Sequence, residues 1–136
     1  MASAKMFENG LANEDTQRNH ATPERVVNFV RRIIRNEKLY TGRERRTHLR
    51  YPITMPVKAT PLTDDQRPAG EPFLAVSRDI SIGGMCLYHL YAVSEKYLEL
   101  DLKGSGNDEL HVVLEVVRCR QAGPLYEIAG QFIGYL

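Results

Sequence analysis

Apolar positions recur along this chain with two different periods, and the change of period divides it. Over residues 22–40, Val26, Val27, Val30, Ile33 and Ile34 return at helical spacing, while Arg25, Arg31, Arg32 and Arg35 take much of the remaining surface. Thr22-Pro23-Glu24 supplies a helix start. Thr can cap free N–H groups, Pro is tolerated at the first helical position, and Glu suits the positive end of the helix dipole. Gly42 supplies the stop. The spacing predicts an amphipathic helix over residues 21–41 that covers one end of a core. Self-association of two copies through its apolar face is the sharper alternative, beside docking on a partner or a membrane surface.

From residue 51 the period falls to two. Residues 51–59, 73–80, 85–91, 96–102, 110–120 and 125–135 read as strands. Alternation is cleanest in Leu98, Leu100 and Leu102 against Glu99 and Asp101, and in Leu110, Val112, Leu114 and Val116. Pro52 and Pro56 cannot donate to a ladder, which places the first strand at a sheet edge. Residues 60–72, with Pro61, Asp64, Asp65, Pro68, Gly70 and Pro72, form a long polar turn, and 104–108 and 121–124 form short ones. Short strands without interleaved helices indicate an antiparallel sandwich or a closed barrel.

A chain of 136 residues, 43% hydrophobic and 26% charged, is long enough for one domain with a real core. No apolar run approaches the roughly 20 residues that span a bilayer. The first ten residues lack the apolar stretch of a secretory signal. The expectation is a cytoplasmic protein with a flexible tail over residues 1–20 and buried, reduced thiols at Cys86 and Cys119. The net charge of +1 hides an asymmetry. Residues 18–50 hold ten Lys or Arg against three acids, a balance of +7, while the remainder holds eight against fourteen, a balance of −6. An anionic ligand would be drawn to the first part.

The densest basic run is Arg43-Glu44-Arg45-Arg46-Thr47-His48-Leu49-Arg50, four arginines among residues 43–50 with almost nothing to bury. A guanidinium is planar, permanently charged and forked to fit a phosphate or a purine edge. Taken alone, such a run is more often a solvated connector. A second stretch, Ser77-Arg78-Asp79-Ile80-Ser81-Ile82-Gly83-Gly84-Met85, places an Asp and a Ser two apart at a strand end, hence on one side of the sheet. Gly83-Gly84 lets the backbone turn tightly and bring N–H groups near a ligand. Alone, this is also an ordinary capped turn.

Together the two stretches resemble the PilZ domain family. Arg46-Thr47-His48-Leu49-Arg50 fits its RxxxR element, and Asp79-Ile80-Ser81-Ile82-Gly83-Gly84 fits its DxSxxG element. Pro52 and Pro56 in the first strand fit the expected order, and Ala129-Gly130-Gln131-Phe132 resembles the GxxF turn of the closing strand. The resemblance covers residues 43–133. It implies a six-stranded antiparallel β-barrel over residues 42–136 that binds cyclic diguanylate (c-di-GMP), a bacterial second messenger, through an arginine arm at 43–50. Arg46 and Arg50 would reach phosphates and a guanine Hoogsteen edge, and Asp79 and Ser81 the other face of the ligand. Gly83 and Gly84 would allow close backbone approach. Arg45 would clamp an intercalated ligand dimer, with Arg43 and Arg78 as auxiliary phosphate contacts; His48, inside the arm, reads as a solvent-facing spacer in preference to a residue lining the site. Ligand binding would order the arm and signal to a protein partner as yet unidentified. Many members carry a C-terminal helix, and here the helix at 22–40 would cover the barrel instead.

Other chemistry finds little support. His20, His48, His89 and His111 are scattered, and no His/Cys pair has metal-site spacing. There is no GxxxxGK[ST], no GxSxG and no Cys with an evident base. Tyr88, Tyr91 and Tyr97 read as residues at the core rim. The expected protein is a binding module without a cofactor, not an enzyme. The alternatives are a nucleic-acid-binding β-barrel that uses the same basic segment, and a ligand-free PilZ-like interaction module.

Overall fold

In the computed structural model, which describes residues 22–36, 49–104 and 106–136, alternating apolar residues close a sheet on itself. The elements are α1 (Glu24–Asn36), β1 (Pro56–Leu62), β2 (Phe73–Ser81), β3 (Gly84–His89), β4 (Tyr97–Lys103), β5 (Glu109–Ala122) and β6 (Leu125–Tyr135). The strands are hydrogen-bonded in the order β1-β2-β3-β6-β5-β4, and β1 pairs with β4 to complete a six-stranded antiparallel barrel. Of the two readings left open by strand spacing, the closed barrel is the one adopted.

The alternating leucines set the inner layer. Leu98, Leu100 and Leu102 of β4 stand opposite Leu114, Val112 and Leu110 of β5, all of them buried. They join Val57, Ala59, Ala75, Ile80, Met85, Leu87, Ile128 and Phe132 in one cluster. Burial of side chains of this size contributes about 1.5–3 kcal/mol each relative to exposure.

The first strand departs from expectation. It begins at Pro56 and runs to Leu62, and it lies between two neighbours instead of at an edge. The prolines fit because neither interrupts a needed bond. Pro56 is the first residue of the strand. Pro61 accepts from the Ala69 N–H, and a strand residue points its N and O the same way. The missing Pro61 donor therefore faces the 63–72 turn and not the β4 ladder.

Helix α1 closes one end of the barrel. Val26, Phe29, Val30, Ile33 and Ile34 are buried and belong to the barrel's own core cluster. Phe29, not the half-buried Val27, completes the stripe. Arg32 pairs with Asp108 in the β4–β5 turn at 3.4 Å, and Arg25 lies over the Tyr135 ring. The apolar face is thus consumed internally, so it offers no surface for the dimer considered from sequence. The expected helical stop at Gly42 lies outside the described residues.

Candidate functional site

Arg50 and the β2–β3 turn meet at the end of the barrel that α1 covers. The extended segment leading into β1 pairs antiparallel with the end of β2: the Tyr51 N–H donates to the Ile80 carbonyl at 2.8 Å, and the Ile80 N–H to the Tyr51 carbonyl at 2.9 Å. This carries the preceding residue, Arg50, over Asp79, with Arg50 Nη1 donating to Asp79 Oδ1 at 2.9 Å. The Asp79 side chain is only 10% exposed, whereas 56% of the Arg50 side chain remains open to solvent.

Asp79 faces this way because of a β-bulge. Ser77 pairs with Leu87 but Asp79 pairs with Cys86, leaving Arg78 as an extra residue in β2. A one-residue slip moves every following side chain to the opposite face. Ile80 therefore enters the core, while Asp79 and Ser81 take the other face.

Arg78, for which an auxiliary phosphate contact was expected, forms ion pairs within the protein while 42% of its side chain stays exposed. Its Nε lies 3.2 Å from Asp79 Oδ2 and its Nη1 2.7 Å from Glu127 Oε2. Asp79 foremost, together with Glu127, raises the Arg78 pKa above its ordinary value. Glu127 also accepts from Arg120 Nε at 3.0 Å, and Arg120 is the main cause that holds its carboxyl below the usual range. Both oxygens of Asp79 are thus engaged, one by Arg50 and one by Arg78. Beside this chain, burial pushes the Cys86 thiol pKa up. Cys86 and Cys119 are both free, Cys86 buried as expected and Cys119 only half-buried.

A cavity of about 230 Å³ lies next to the Arg50–Asp79 pair, lined by Thr22, Arg50, Ser81, Gly83, Gly84, Val117, Gly130, Gln131 and Phe132. Ser81 Oγ donates to the Gly84 carbonyl at 3.3 Å across the turn. Gly84 lines the cavity and also meets a packing requirement. A Cβ there would lie 2.1 Å from the Gly130 carbonyl oxygen on β6. Neither Gly83 nor Gly84 adopts a positive φ. The segment 129–132 does not turn but runs within β6, and a Cβ on Gly130 would lie 2.4 Å from the Glu115 carbonyl oxygen. Sequence reading missed Val117 and Gln131 on the cavity wall. A bulge leaves Val117 unpaired between Val116 and Arg118, and no motif marks it.

Of the residues expected at the site, Arg50, Asp79, Ser81, Gly83 and Gly84 lie together, with Arg78 in contact with Asp79. Arg43, Arg45, Arg46 and His48 lie outside the described residues. Among the tyrosines, Tyr97 is buried in a small satellite cluster, Tyr88 is half-buried and Tyr91 is exposed.

A second polar cluster lies on the outer face of β4 and β5. His111 has Glu99 at 2.6 Å from Nδ1 and Glu109 at 2.6 Å from Nε2. Lys103 Nζ donates to Glu109 at 2.7 Å and Asp101 at 3.3 Å. The hydrogen bond to Glu99 is the main cause that raises the His111 pKa, and Lys103 foremost draws Glu109 down to about 2. Potential metal-ligating atoms of Asp101, Glu109 and His111 come within 4.8 Å of one another, a grouping that sequence spacing did not reveal. The Lys103 ammonium already serves as the cation between Asp101 and Glu109.

A closed six-stranded barrel with an arginine on the entering segment and an Asp-x-Ser-x-x-Gly turn beside a cavity defines the class of protein: a β-barrel binding module. The PilZ domain family model matches residues 44–134, and the chain belongs to that family. It is a family of c-di-GMP-binding receptor modules, not of enzymes. No curated protein and no solved structure matches the chain. No helix among the described residues is long and apolar enough to cross a membrane.

Proposed function

We infer that this protein is a c-di-GMP receptor whose two motifs form a two-part clamp. The observation that carries the reading is the Arg50–Asp79 pair, which joins both motifs beside the cavity. Arg50 is exposed enough for a ligand phosphate to compete for its guanidinium, in a charge-assisted bond that can be bidentate. Its departure leaves Asp79 Oδ1 to accept from the N1 and N2 donors of a guanine, while Arg78 keeps the carboxylate oriented from the other side. Ser81 and the backbone of Gly83 contribute polar groups on the cavity wall. Arg46 adds a second guanidinium to phosphate or to the guanine O6/N7 edge, and Arg45 closes on a second ligand molecule where one is intercalated. The liganded arm, held against the barrel, presents a surface that a protein partner reads.

Competition separates this reading from a nucleic-acid-binding barrel. Fluorescent c-di-GMP is titrated with the protein, then challenged with unlabelled c-di-GMP or a single-stranded oligonucleotide. Expected are displacement by the former only and an affinity loss on the order of tenfold to a hundredfold in Asp79→Ala and Arg46→Ala, the scale of a lost charged hydrogen bond. Displacement by the oligonucleotide, with no dependence on Asp79, would instead assign the segment to nucleic acid.

A further inference from the structure

Between Arg50 and β1, the chain does not follow a regular ladder. Met55 accepts from the Ser77 N–H at 2.9 Å and Tyr51 exchanges bonds with Ile80, so the stretch 51–55 is one residue longer than the stretch 77–80 it faces. The surplus is taken up around Pro52, where the Ile53 N–H turns back onto the Tyr51 carbonyl at 2.8 Å. Such a bulge leaves backbone groups without ladder partners, and buried ones are costly to leave unpaired. Here the Ile53 carbonyl and the Met55 N–H are the groups concerned. The Ser77 hydroxyl takes both: Oγ donates to Ile53 O and accepts from Met55 N at 2.9 Å. Ser77 is 2% exposed and pairs with the core residue Leu87, so solvent cannot replace it there.

We propose that Ser77 is a positioning residue for the ligand site, setting the register in which the arginine arm enters the barrel. It stands outside both motifs and does not line the cavity. Its action passes through Arg50. The bulge fixes Tyr51 opposite Ile80, and this puts the neighbouring Arg50 guanidinium within 2.9 Å of Asp79. Without the hydroxyl, the stretch can pass its surplus residue toward the arm, and a shift of one residue turns the Arg50 side chain to the other face. The two prolines sharpen the requirement, because Pro52 and Pro56 have no N–H with which to hold an alternative ladder.

The inference rests on the c-di-GMP reading for its affinity arm, and a hydrogen-exchange arm stands apart from it. Ser77→Ala removes the hydroxyl, and Ser77→Cys keeps the volume while weakening the bonds, which guards against a simple packing defect. In the ligand-free protein, both variants are expected to speed exchange of the Met55 amide by at least tenfold, with amides of β4 and β5 unchanged. In the affinity arm, both are expected to weaken c-di-GMP binding at least fivefold in the wild-type background. The same substitutions change binding less than twofold in an Arg50→Ala background, because their effect is routed through that side chain. An equal loss in both backgrounds, or an unchanged Met55 exchange rate, would overturn the proposal. If the wild type binds no c-di-GMP, the proposed function falls and the exchange arm alone decides whether Ser77 sets the register.

Discussion

A methyl group at position 84 would have to share space with the Gly130 carbonyl oxygen, 2.1 Å from where it would sit. Strand β3 pairs with β6 here with no room for a side chain, so the glycine of the DxSxxG motif lets the barrel seam close beside the cavity. Gly84→Ala is expected to lose roughly 3 kcal/mol of stability, the upper range for an overpacked core, measured by urea unfolding. A loss below about 0.5 kcal/mol, the scale of a neutral surface change, would show that the seam can open without cost. His111 makes a second residue-scale case. Glu99, Glu109 and Asp101 face it, with Lys103 bridging the last two and Lys58 and Thr60 beside the same small cavity. Its pKa is raised, so the folded state holds the proton more tightly than the unfolded chain. The stability that the His111 proton contributes is therefore complete below about pH 6.5, the unperturbed histidine value, as long as the carboxylates stay ionised, and is lost as pH rises through the raised folded value. An NMR titration should find His111 titrating above 6.5 and moving down in Glu99→Gln; a wild-type midpoint below 6.5 would show that the carboxylates do not hold the proton.

At the scale of elements, α1 completes a core that the strands leave open at one end. Phe29, at 3% exposure, packs beside the β4–β5 turn near Gly104. Phe29→Ala should cost about 3 kcal/mol, the usual range for a deleted buried aromatic side chain, again by urea unfolding. A cost under about 1 kcal/mol would show that the helix is laid on the barrel without sealing it. The helix was legible in the sequence because its apolar stripe, its Thr-Pro-Glu start and its arginine face agree. The strands were legible through Leu98–Leu102 and their partners, where nothing disturbs the period of two. What was not legible lies where the period breaks. The bulge at Arg78 decides which way Asp79 points, and the surplus residue near Pro52 decides where Arg50 lands, yet neither leaves a mark in composition. Prolines argued for an edge in β1, but barrel closure removed the edge and the turn at 63–72 absorbed the missing Pro61 donor.

For the whole molecule, the division of charge seen in the sequence takes a definite form. Arg50 on the entering segment meets an acid from the barrel, Asp79, and Arg32 on α1 meets Asp108. Part of the basic segment's charge is thus paired internally, as the acidic body allows. These contacts are exposed on the arginine side, where ion pairs contribute little to stability and yield readily to a competing anion. In the proposed clamp the barrel would supply the fixed half, Asp79 paired with Arg78 and Arg78 with Glu127, and the entering segment the half that exchanges partners. The family and the motif order were readable from residues 43–133, but the ion-pair chain from Arg78 through Glu127 to Arg120 was not, because it spans β2, β6 and β5 and forms only when β3 seats β2 beside β6 and β6 pairs with β5. The most direct test of the clamp is a calorimetric titration of the wild-type protein with c-di-GMP beside Arg50→Ala and Asp79→Ala. The account expects a saturable heat for the wild type and a severalfold weaker or absent one for each variant; no heat of binding in the wild type, or equal binding by all three, would contradict it.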